Sequence, residues 1–130
     1  MLTLRNCMLI KGIVCVFFAL AFLLIPETST SWFGLTLDPG GVLAIRLFGG
    51  AFALLGILLL LARDVAEPAI QKAFAIAILV GDAIGFVVCL QATLAGVFNA
   101  LGWIPVVLNL GLGAAFGYFL LAKPAATPTP

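Results

Sequence analysis

Three features of the sequence predict an all-α integral membrane fold of four helices: its apolar content, the length of its apolar runs and the punctuation between them. Of 130 residues, 65% are hydrophobic and 8% charged, against roughly 45–50% and about 25% in an ordinary soluble domain. A soluble chain of this length has too little interior to hide so much apolar surface, and lipid as solvent removes the difficulty. Four runs reach the roughly 20 apolar residues that a bilayer-crossing helix needs: residues 8–25, 41–62, 68–90 and 101–122. They form one domain over residues 1–122, a four-helix bundle. Residues 123–130 (KPAATPTP) are left as a tail too rich in proline and small residues to fold, and so disordered.

The first run ends at Pro26 and has a positive start, with Arg5 before it and Lys11 within its first residues, which gives it the look of a secretory signal. No A-x-A pattern follows, because Pro26, Glu27 and Thr28 come next, so the helix is expected to be retained. Bulky Val14 before Cys15 argues against lipoprotein-type processing. Lys11 is expected to snorkel towards the interface. Cys7 and Cys15 would lie about 12 Å apart on one helix, too far for a disulfide. With Cys89 they are read as free thiols acting as small apolar residues.

The connection at residues 26–40 carries Trp32, Phe33 and Leu35 among polar residues. It reads as a segment on the outer membrane interface, either an anchored loop or a binding lid. The second run places Gly49, Ala53 and Gly56 on one face with Arg46. The third opens on Pro68, whose missing N–H costs nothing at a helix start, and contains Gly81 and Gly85. In the fourth, Pro105 either kinks the helix or marks its true start, and Gly113 and Gly117 follow. The GxxxG spacings in the last two let helix backbones approach closely in lipid; they predict packing and no chemistry. Gln91, Asn99 and Trp103 fall at the outer ends of the third and fourth helices, as an interfacial rim. Arg46-Leu47 with Gly50-Ala51 is echoed by Asn109-Leu110 with Gly113-Ala114, which reads either as a parallel internal repeat of the kind some transporters show or, more readily, as a coincidence of abundant Gly, Ala and Leu.

Basic residues set the expected orientation. Arg5, Lys11, Arg63, Lys72 and Lys123, five of the six, fall on one side of the four helices, which predicts both ends in the cytoplasm. Net charge is +1 and histidine is absent. The first removes a bulk electrostatic case for nucleic acid. The second removes the commonest general base and metal ligand. No catalytic residue, metal ligand or cofactor site is predicted.

Charge inside the apolar runs carries the remaining information. Asp82 lies near the middle of the third helix, where a lone carboxylate costs roughly 2.5–3.5 kcal/mol. Counting from the outer helix ends puts Arg46 at about 8 Å depth and Asp82 and Asn109 at about 12 Å. Arg46, Asp82 and Asn109 are therefore expected to share a layer as an interhelical polar cluster. It either fixes helix register or lines a path for a small solute or proton.

Pro26, Phe33-Gly34, Arg46, Gly49-Gly50 and Ala62-Arg63 together resemble a pattern of small bacterial four-helix membrane proteins of unknown function, DoxX-like in style. The resemblance covers about the first half of the chain. It implies a four-helix bundle in the bacterial inner membrane and carries over no catalytic residue. The expected function is that of a non-enzymatic accessory or structural membrane component. Its partners are the lipid bilayer and either another membrane protein or a further copy of the chain. The alternative is a small transporter or channel component using Arg46, Asp82 and Asn109. An enzyme or quinone-binding subunit is the weakest reading.

Overall fold

The computed structural model describes residues 3–122, so the tail expected at residues 123–130 lies outside the described residues. Five α-helices and one short 3-10 turn follow one another, with no strand among the described residues. They are α1 (Leu4–Leu24), α2 (Pro26–Ser31), α3 (Pro39–Ala62), α4 (Pro68–Leu94), the turn Ala100–Gly102 and α5 (Trp103–Leu121). Four spans, α1, α3, α4 and α5 with its leading turn, are long and apolar enough to cross a membrane. Four such spans in one chain are those of a multi-pass membrane protein.

Caps decide where the helices start. Thr3 Oγ1 accepts from the Asn6 amide at 3.2 Å, so α1 begins a full turn ahead of the apolar run. Asp38 Oδ1 accepts from the Gly41 amide at 2.6 Å and Pro39 occupies the first turn of α3. Pro105 sits in the first turn of α5, where its missing N–H has no intrahelical partner to lose, so it neither starts nor breaks the helix. The expected interfacial loop contains α2, whose Ser29 and Thr30 hydroxyls donate back to the Pro26 carbonyl at 3.1 and 2.8 Å. This satisfies the hydroxyls where water is scarce.

The long helices pack as two antiparallel pairs. In the first, α1 and α3 touch backbone to backbone: a Cβ on Gly56 would lie 3.0 Å from the Gly12 carbonyl oxygen, and one on Gly49 would lie 3.3 Å from that of Ala19. Gly12 is a packing glycine outside the small-residue spacings of the sequence, since a Cβ on it would lie 3.2 Å from the Gly56 carbonyl oxygen, and Ala53 is half-buried nearby in the chain. In the second pair, α4 and α5 approach at Gly85, Gly113 and Gly117. A Cβ there would lie 2.8 Å from Asn109 Oδ1, 3.2 Å from Asp82 Cβ and 3.6 Å from Leu79, respectively. Gly81 departs from the packing expected of it. A Cβ at this position meets nothing within 4 Å, because this face of α4 looks into open space.

The two pairs join side by side through α1 and α5, and no Cα of α3 comes within 8 Å of α4. At one end all four long helices interlock in a core of Cys7, Met8, Leu59, Ala75, Ile78 and Phe116. Arg5 Nε donates to Asp64 Oδ1 at 2.5 Å at that same end, with Arg63 Nε 3.4 Å from Asp64 Oδ2. At the opposite end a latch ties the α2 segment to the α4–α5 connection. The Asn99 amide donates to the Phe33 carbonyl and its Nδ2 to the Trp32 carbonyl, both at 2.9 Å. The Phe33 and Phe98 rings lie 5.7 Å apart. Gly34 reverses the chain there at φ +82°, a conformation that glycine adopts without steric cost.

Candidate functional site: an aromatic cavity with a buried ion pair

Between the interlocked core and the latch, the helix pairs stand apart around a cavity of about 610 Å³. Phenylalanines dominate its wall: Phe18 and Phe22 from α1, Phe48 and Phe52 from α3, Phe74 from α4, with Phe33 and Phe98 at the latch. Those of the first pair support one another, with ring centroids 5.8 Å apart for Phe22 and Phe48 and 4.6 Å for Phe48 and Phe52. Such contacts hold rings in place beyond what area burial alone would do. The cavity opens sideways between α3 and α4. Phe48, Ile84 and Val88 line it and yet are 49%, 61% and 57% exposed.

One charged pair interrupts the apolar wall. Lys11 Nζ donates to Asp82 Oδ1, and the two residues are only 8% and 3% exposed. Lys11 lies about 10 Å along α1 from its start, and Asp82 about 21 Å along α4, so the lysine stem runs deeper into the helices. This corrects the snorkelling expected of Lys11. It also corrects the partner expected for Asp82. Arg46 is exposed on the outside of α3 and pairs with no carboxylate among the described residues. Arg46 stands roughly 60–80° around the helix from Gly49 and Gly56, at about 100° per residue, so packing those glycines on α1 turns the arginine away. Asn109 does border the cavity beside Asp82, and its Nδ2 donates to its own helix at the Pro105 carbonyl, 2.8 Å away. Of the three residues expected together, the fold brings Asp82 and Asn109 to one place and leaves Arg46 out.

The signal that identifies Lys11 is periodic. Cys7, Lys11, Cys15, Phe18 and Phe22 recur at spacings of three and four, so they form one stripe of α1. The cysteines and Phe22 on it are buried. The repeat at Arg46 and Asn109 has no structural counterpart: Gly50 meets nothing within 4 Å where Gly113 packs on Asp82.

The pair leaves hydrogen-bonding capacity unused. Asp82 Oδ2 is buried and has no hydrogen-bond partner among the described residues, and an ammonium group has three donors, one of which reaches Oδ1. A shallower groove of about 330 Å³ between α4 and α5 also borders Asp82 and Asn109, but Lys11 lines the central cavity alone. Any group touching both charges therefore has to sit in the central cavity. Among the described residues no cluster of three or more His, Cys, Asp or Glu is suited to a metal ion. Comparison with protein families, with curated proteins and with solved structures finds no match to this chain.

Proposed function

We propose that this chain is a non-enzymatic accessory protein of the membrane that holds a lipophilic small molecule between its two helix pairs. The supporting observation is the cavity itself: about 610 Å³, walled by aromatic rings, open between α3 and α4 and carrying one charged pair. Mostly apolar pockets with a few placed polar groups are the common form of small-molecule sites. The distribution of Arg5, Arg63 and Lys72 at the end of the interlocked core supports a four-helix bundle with that end in the cytoplasm. The latch then faces the outer side. A bacterial inner membrane is the setting suggested by the resemblance to DoxX-like proteins.

Gly81 provides the test. Its missing side chain faces the cavity and not a neighbour, so Gly81→Phe fills the site while leaving helix packing alone. The protein should be purified in a mild detergent and extracted with organic solvent. The expected result is a stoichiometric lipophile from the parent and much less from Gly81→Phe at equal abundance. Absence of any retained molecule, together with absence of saturable binding of lipophilic probes, overturns the reading.

A small transporter component is the second reading, favoured by a charged pair placed between helices that barely touch. It needs the interlocked core at Cys7, Met8, Leu59, Ala75, Ile78 and Phe116 to open. It predicts that Asp82→Asn abolishes a flux without lowering abundance.

A further inference from the structure

Resting on that reading, we infer that the molecule held in the cavity is an uncharged lipophilic alcohol or phenol whose hydroxyl docks between Lys11 and Asp82. The inference starts from charge. The pair is neutral as a unit, so a cationic head would meet the Lys11 ammonium and an anionic head the Asp82 carboxylate. Either would bring an uncompensated charge beside two almost wholly buried residues, which is costly. A neutral head avoids this.

Hydrogen bonding narrows the class further. Asp82 Oδ2 is a buried acceptor with no partner among the described residues, and Lys11 has ammonium donors beyond the one spent on Oδ1. Two residues that line the cavity thus hold an unpaired acceptor and spare donors on one ion pair, which a group entering between them would engage together. A hydroxyl is both donor and acceptor on one atom and satisfies both at once. A hydrocarbon satisfies neither, and an ether or ketone can only accept, leaving Oδ2 as it is. The requirement for Lys11 excludes the groove between α4 and α5, which Lys11 does not line. With the head on the pair, the apolar body lies among Phe18, Phe48 and Phe52 and leaves through the gap between α3 and α4.

The experiment uses the full chain in nanodiscs of saturated phosphatidylcholine. Three probes of one carbon skeleton are compared: farnesol, farnesyl methyl ether and farnesylamine. Binding is read by native mass spectrometry and by the shift in thermal unfolding. Farnesol is expected to bind at least about tenfold tighter than the ether, the size of effect that hydrogen bonds to charged groups support. The double variant Lys11→Met, Asp82→Leu removes both charges together and should bind alcohol and ether equally. If the parent binds alcohol and ether equally, or prefers the amine, the inference is overturned while the lipophile-binding reading stands. If none of the three probes binds saturably, the inference is overturned, and the lipophile-binding reading falls with it when the purified protein also retains no lipophile. Should the double variant fail to fold, the alcohol-to-ether ratio of the parent still decides.

Discussion

The same four helices solve opposite problems at their two ends. Near Arg5 they interlock: Met8, Leu59 and Phe116 each reach across to another helix, and the small residues Cys7 and Ala75 let them do so. Towards the latch, Gly81 gives α4 no side chain where a wall is needed to meet α3, and Phe48 and Phe52 pack on rings of their own helix pair while facing the cavity across from α4. Overall apolarity does not separate the two halves, since both are made of Phe, Leu, Ile and Ala. In lipid, apolar character alone gives no drive for helices to close on one another. Interdigitation does, and the core in which side chains of both helix pairs interdigitate lies at the Arg5 end. The Lys11–Asp82 pair marks the boundary.

The most damaging way to break this division is to remove one charge at the boundary. Lys11→Met strands the Asp82 carboxylate, and breaking a buried pair in this way costs about 3–5 kcal/mol. Membrane abundance and thermal unfolding should fall together, and Asp82→Leu added to Lys11→Met should recover most of the loss. Next in size is the contrast between the two ends. Phe116→Ala opens roughly 100 Å³ in the interlocked core and should cost about 2 kcal/mol from the cavity term alone. Phe48→Ala, at a wall already open to lipid, should cost well under half of that. Equal costs in unfolding assays would show that the halves are not packed differently.

A smaller effect is expected at the latch. Asn99→Ala removes the Nδ2 bond to the Trp32 carbonyl and should lower stability by about 1 kcal/mol. It should also speed amide exchange over residues 30–37 while leaving the Arg5 end unchanged. The smallest effect concerns Asp64. The hydrogen bond from Arg5, then the charges of Arg5 and Arg63, hold its carboxyl below the usual aspartate range. A carboxyl depressed in the folded state contributes stability above its unfolded value, and that contribution is lost as pH falls through the folded value. Because the pair is exposed, the loss should be below detection in unfolding curves. An NMR titration should still place the Asp64 midpoint below that of free aspartate, and Arg5→Gln should raise it.

Helix count and approximate spans were legible because an apolar run of about twenty residues matches the thickness of a bilayer and little else. Gly49, Gly56 and Gly113 were legible as packing positions because their spacing matches a helix face. The partner of Asp82 was missed for a geometric reason. Starting α1 at residue 8 put Lys11 at the membrane edge, while the Thr3 cap places it two turns inside. Depth read from helix ends also says nothing about azimuth, and azimuth is what sends Arg46 outward and Lys11 inward. Gly81 shows the complementary limit, since a GxxxG pattern does not say whether a neighbour is present to use the space. The latch was beyond reach for a simpler reason: Asn99 meets Phe33 and Trp32 across more than sixty residues of chain, and no local pattern encodes that meeting.

Lys11 and Asp82 belong to different helix pairs, and this has a consequence for how the protein is made. The first hairpin enters the bilayer with a buried ammonium and the second with a buried carboxylate, each unneutralised until the two dock. Either hairpin alone is a poorly tolerated guest in lipid, while the assembled product carries no net charge in its interior. Mutual neutralisation of Lys11 and Asp82 therefore favours docking of the two hairpins, in addition to the packing of the core at the Arg5 end.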